Sequence, residues 1–144
     1  MRLDINADCR PDIVASMLDM GDIGTFEGVY SSHCLEHVYP HEVPVALGEF
    51  LRVLRPGGAA VVIVPDLGDV RPTEDVVYES PAGPVTGLDM FYGYRPVLAA
   101  EPFMAHHTGF VAETLATAME SAGFVRVQAL RIAYFNLMGI GYKS

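Results

Sequence analysis

Residues 43–66 read VPVALGEFLRVLRPGGAAVVIVPD, and this stretch decides the fold. Val43, Leu47, Phe50, Leu51 and Leu54 recur at i, i+4, i+7, i+8 and i+11, the spacing of one helix face, while Glu42, Glu49 and Arg52 fall off it. Pro44 suits a first helical turn, where its missing N–H costs nothing. Arg55-Pro56-Gly57-Gly58 brings a cation, a helix breaker and two glycines, so the spacing predicts a helix over 43–54. The next run, Ala59–Val64, is continuously apolar and mostly β-branched. Continuous rather than alternating hydrophobicity predicts a strand buried on both faces, central in a parallel sheet with helices on both sides.

Upstream, Arg2–Ile5, Asp12–Ala15 and Phe26–Ser31 read as short strands. Downstream, Pro65–Pro102 holds six of the ten prolines and no strong periodicity, which marks a functional connection. Residues 66–110 are therefore expected to form a cap or insert, with Phe91, Tyr92 and Tyr94 packing down. Val111–Ala122 reads as a second helix, with Leu115, Ala118, Met119 and Ala122 on one face and Gly123 at its end. Phe124–Ile132 and Ala133–Tyr142 read as two closing strands. The order predicts one domain over 1–144: an open, three-layer α/β sheet, mostly parallel, with an antiparallel strand at its C-terminal end.

The composition narrows the partners. Of 144 residues, 51% are hydrophobic and 19% charged, as in a globular domain. The net charge of −9 argues against a nucleic-acid backbone or an anionic membrane as partner. Two cysteines make no disulfide framework, and the opening MRLDINADCRPD has no charged region leading into an apolar one. The most apolar run, Ala59–Val64, falls far short of the ~20 residues of a membrane span. The expectation is a cytoplasmic protein with reduced thiols.

The densest candidate site is Ser31-Ser32-His33-Cys34-Leu35-Glu36-His37, just past the third strand. Polar groups beyond the carboxyl end of a strand are where open α/β sheets bind ligands. His33-Cys34-Leu35-Glu36-His37 also matches H-x-x-E-H, an inverted zinc-protease pattern, with His41, His106 or His107 as a further ligand. That pattern needs a helix, and only about one turn fits before Pro40. No metal ligand is assigned, and a hydrogen-bonded turn at the sheet edge accounts for both histidines equally well. Cys34 lies beside Leu35 and reads as a wall thiol rather than a nucleophile. His106-His107 could supply a general base near neutral pH, or form an exposed capped loop. Asp66 reads either as a turn cap or as a site residue. Neither G-x-G-x-x-G nor G-x-x-x-x-G-K-[ST] occurs.

Together Leu3-Asp4-Ile5, Asp12-Ile13-Val14, Phe26 through His37, Phe50 through Gly58 and Val62 through Leu67 resemble the class I S-adenosylmethionine-dependent methyltransferases. The L-E-H turn, the helix ending in L-R-P-G-G and the apolar strand after it carry the likeness, which runs from Met1 to about Leu67. The resemblance implies a Rossmann-like sheet and S-adenosylmethionine as cofactor. It implies Asp4 on the ribose hydroxyls, Ser16 and Met17 at the adenine, and Ser32 beside the methionine part. The family often has an acid where Ser16 stands. His33, His37 and His106 would then face the acceptor, one of them acting as base.

The family's opening strand, glycine-rich loop and helix have no counterpart in this sequence. The missing strand belongs between the family's second and fourth, so its loss predicts a gap that a second copy could fill, and hence a homodimer. Two functions follow: methyl transfer to a small-molecule acceptor, or a non-catalytic methyltransferase-like module that does not bind S-adenosylmethionine and acts through dimerisation or scaffolding.

Overall fold

Val43–Arg52 is helical (α1) and buries Val43, Ala46, Leu47 and Phe50, the face that the spacing selects. It stops two residues short of the expectation, because Leu54 already pairs with Phe26 and Arg55–Gly58 belong to the strand that follows. The computed structural model describes all residues, 1–144. Its remaining elements are β1 (Leu3–Asp4), β2 (Ile13–Val14), β3 (Phe26–Ser32), β4 (Leu54–Pro65), β5 (Val76–Ser80), β6 (Gly83–Thr86), α2 (Gly87–Tyr92), α3 (Ala112–Ser121), β7 (Val125–Ile132) and β8 (Asn136–Tyr142).

The main sheet has the order β3-β4-β8-β7. β3 and β4 run parallel, whereas β4–β8 and β7–β8 are antiparallel. The α/β methyltransferase-like architecture is as expected, but this sheet is mixed rather than mostly parallel. A hairpin returns the chain from β7, and its last strand inserts beside β4.

The expected three layers are two. α1 and α3 pack against each other and cover one face of the sheet. Ala60, Val62, Val64 and Leu137 are fully buried on that face, with Leu35, Leu47, Leu54, Leu115 and Met119. Gly139 and Gly141 lie on it too: a Cβ at Gly139 would meet Met119 Sδ at 2.7 Å, so glycine lets α3 approach β8. Ala59, Val61 and Ile63 point to the other face and are only half-buried, and Tyr30, their neighbour on β3, is 71% exposed. The continuous apolar run of β4 thus has one covered face and one open face.

β1 and β2 pair parallel to each other in a separate two-stranded sheet, so β3 has no strand on its outer edge. The N-terminal unit is held by side chains instead. Leu3, Met17, Leu18 and Ile23 pack on the core, Met20 N–H donates to Glu49 Oε2 at 2.8 Å, and Arg52 donates to the Gly21 carbonyl.

Residues 66–110 are built, not loose. β5 and β6 form an antiparallel hairpin, and Thr86 and Asp89 form a capping box that starts α2. Arg95 clamps this box, donating to Asp89, Glu74 and Thr86. Both ends of the segment meet at one bridge between Asp66 and Phe110. No helix is long and apolar enough to cross a membrane.

Candidate active site

β3 ends at Ser32, but His33 N–H still donates to the Ile63 carbonyl at 2.9 Å. This keeps the chain on β4 for one more residue and turns it through a left-handed His33, φ 52°. A non-glycine residue there is strained, and such strain concentrates at functional sites. A single 3-10 turn, Leu35–His37, follows. Leu35 is fully buried in the core, and Glu36 beside it is carried in to 1% exposure. Neither Glu36 carboxylate oxygen accepts a hydrogen bond, although His33 Nδ1 lies 3.3 Å from Oε1.

The segment 105–108 is stitched to this turn from 70 residues away. His107 and Thr108 N–H donate to the Glu36 carbonyl at 2.8 and 3.1 Å, and Thr108 Oγ1 donates to Val38 O at 2.6 Å. His37 Nδ1 lies 3.1 Å from the Ala105 carbonyl, and His106 Nδ1 lies 2.9 Å from the Met90 carbonyl. A carbonyl only accepts, so each Nδ1 is the protonated nitrogen and each neutral ring keeps its lone pair on Nε2. The His37 and His106 rings meet edge to face, 5.1 Å between centroids.

His33, His37 and His106 therefore do gather, around a carboxylate to which the sequence reading gave no role outside the zinc pattern. The signal for Glu36 was a lone acid directly after a core leucine in a one-turn connection. The zinc pattern itself fails in detail. His33 precedes the turn and is exposed, so His33 and His37 share no helix face. His41 and His107 are exposed and flank Tyr39 in stacks at 5.9 and 4.3 Å.

Electrostatics separate the histidines. Burial pushes His106 down, against the pull of the Met90 carbonyl and the Glu36 charge, so it is neutral at pH 7. The Glu36 carboxylate pushes His33 up, outweighing burial. Burial pushes the Cys34 thiol up, helped by the charges of Glu36 and Asp4, and Cys34 Sγ donates to Ser32 O at 3.2 Å. Cys34 is half-buried, with its thiol proton held by a backbone carbonyl and its pKa raised, the reverse of an activated nucleophile. Asp66 is a structural cap: it accepts from Gly68 N–H and pairs with Arg131 at 2.8 Å.

A cavity of about 330 Å³ opens beside the histidines, lined among others by His33, His106, Tyr78, Val85, Met90 and Tyr94. His37 stands one ring behind His106. A narrower cleft shares Pro65, Met90 and His106 with this cavity and reaches Glu36.

The residues expected at the cofactor fall on the other unit. Asp4 ends β1, with Oδ1 accepting from Asn6 N–H and Oδ2 unpartnered by protein. Ser16 follows β2, its hydroxyl oxygen accepting from Leu18 N–H, and Met17 is half-buried against the core. Ser32 is the half-buried last residue of β3.

With this geometry in place, the fold is that of the class I S-adenosylmethionine-dependent methyltransferases. A protein described as a SAM-dependent methyltransferase from Archaeoglobus fulgidus superposes with a TM-score of 0.63 at 16% identity, over 98% of this chain and 74% of its own. The 1,6-didemethyltoxoflavin-N1-methyltransferase of Burkholderia thailandensis gives 0.61 at 15%, over 99% and 60%. An O-methyltransferase family protein from the same organism gives 0.58 at 20%, over 90% and 34%, so the present chain spans about a third of its length. In sequence, residues 8–62 match the profile of the family described as "Methyltransferase domain". No curated relative matches at the sequence level.

Proposed function

We propose that this chain is a methyl-transfer domain that uses S-adenosylmethionine and acts on a small-molecule acceptor. The observation that carries the reading is the 330 Å³ cavity with His33 and His106 in its wall, which is within the size range of small-ligand sites. When bound, S-adenosylmethionine supplies an electrophilic methyl group. The chain's own work is to hold the acceptor in line and take its proton. His106, with a free Nε2, and His33 are the residues placed to take that proton. His37 holds the His106 ring from behind. Asp4 Oδ2, the Ser16 hydroxyl and Met17 offer a ribose acceptor, a polar edge and an apolar wall for the nucleoside, and Ser32 borders the methionine side. The hairpin and α2 shape the acceptor pocket.

The test is calorimetric titration of S-adenosylmethionine and its demethylated product, followed by acceptor screening. Micromolar binding is expected. His106→Ala and His33→Ala should each lower kcat by about 100-fold, with the cofactor Kd within about twofold. No binding at millimolar cofactor sinks the reading. The open sheet face favours one second reading, a scaffolding module. We also propose that the free edge of β3 pairs with a second copy in a homodimer.

A further inference from the structure

We propose that Glu36, His37 and His106 bind one divalent ion of the zinc type. A carboxylate oxygen and one ring nitrogen of each histidine already lie within 4.8 Å of one another. Glu36 is 1% exposed, and neither of its oxygens accepts a hydrogen bond. A buried carboxylate whose only charged neighbour is the half-exposed His33, 3.3 Å from Oε1, is costly, and a cation compensates it directly. Both histidines are prepared in the way metal ligands are. The backbone carbonyls of Ala105 and Met90 hold the Nδ1–H, fix the tautomer and leave Nε2 free. Backbone bonds from His107 and Thr108 to Glu36 O lock the two ligand-bearing segments together before any ion arrives.

The donor set names the class of ion. Two imidazoles and one carboxylate suit zinc, cobalt or iron(II), whereas calcium and magnesium want oxygen alone. Ligands about 2.1 Å from a tetrahedral ion stand about 3.4 Å apart, so side chains already within 4.8 Å of one another need only a small movement to close on an ion. Three protein ligands leave a position open, as in catalytic zinc sites. The narrow cleft at Glu36 shares Pro65, Met90 and His106 with the cavity. Resting on the methyl-transfer reading, the ion would hold an acceptor oxygen or nitrogen in the open position and acidify it. The released proton then goes to His33, which no longer competes with His106 for it. Binding of the ion itself needs no such reading.

The experiment uses the metal alone. The chain is stripped with chelator and titrated with Co²⁺, read by its visible absorption, then with Zn²⁺ in competition. One equivalent should bind with a Kd in the micromolar range or tighter. Glu36→Gln and His106→Gln should each weaken it by about 10–100-fold, while His41→Ala and His107→Ala stay within about twofold. The absence of saturable Co²⁺ binding overturns the proposal, and so does a loss of binding confined to the His41 and His107 variants. Should Glu36→Gln fail to fold, Zn²⁺-induced shifts of the His37 and His106 Nε2 resonances in the unaltered chain decide the matter, and their absence is a refutation. Metal binding without cofactor binding removes only the methyl-transfer reading, and the reverse removes only the ion.

Discussion

Glu49 shows how one side chain holds two units together. It accepts from Arg52 at 2.6 and 2.8 Å and from Met20 N–H at 2.8 Å, joining α1 to the loop after β2. The Arg52 guanidinium, helped by Met20 N–H, holds its carboxyl below its ordinary 4.5, at about 2. A carboxyl held down in the folded state stabilises above its unfolded value and loses that contribution as pH falls through about 4.5 towards 2. Burial pushes Asp89 up, but the hydrogen bonds of Thr86 and Arg95 outweigh it and hold the carboxyl at about 2, so the cap weakens as pH falls from about 3.8 towards 2. Glu49→Gln should therefore cost about 1–2 kcal/mol at pH 7 and flatten the fall in Tm between pH 4.5 and 2. Thermal melts across that range check it; a variant with the unaltered slope would remove Glu49 from the acid response.

At the scale of elements, the joint between α2 and segment 104–106 positions His106 in the cavity wall. Gly93 sits there at φ 91°, and a Cβ on it would run into the Met104 carbonyl. Gly93→Ala should separate α2 from His106, whose N–H donates to Tyr92 O. We expect a loss of about 1–3 kcal/mol in stability and a raised acceptor KM, with cofactor Kd unchanged; equal losses in both ligands would contradict it. The two long helices and most of the strands were legible because each repeats a period along the chain. The β5–β6 hairpin was not, since Pro81 and Pro84 masked its alternation, although T-x-x-D at Thr86 and Asp89 was a readable capping signal. The gathering of His33, His37 and His106 was expected through family likeness and through the H-x-x-E-H pattern, which left His106 one of three candidates for a further ligand. Their convergence on Glu36 depends on bonds between residues 70 apart, which no local pattern encodes. The two-faced burial expected for β4 failed because its composition allows a second cover without supplying one.

For the whole molecule, the unpaired edge of β3 and the half-bare face around Tyr30, Val61 and Ile63 are the features most prone to association. Light scattering should give twice the 15.6 kDa chain mass at about 100 μM, and Tyr30→Pro, which removes an N–H from the free edge of β3 and leaves the β3–β4 ladder intact, should return the monomer. A monomeric unaltered chain at that concentration argues against pairing through β3.

The segment 66–110 leaves and re-enters the core at neighbouring points, bridged by Asp66 and Phe110, with Leu67 N–H on Phe110 O at 3.0 Å. Closing a longer loop between fixed ends costs little more than closing a short one. The cavity walls between these two points can therefore lengthen, shorten or be replaced without disturbing β4 or α3. Change can accumulate between the two attachment points while the buried turn at 35–37 and the segment 105–108 bonded to it stay fixed.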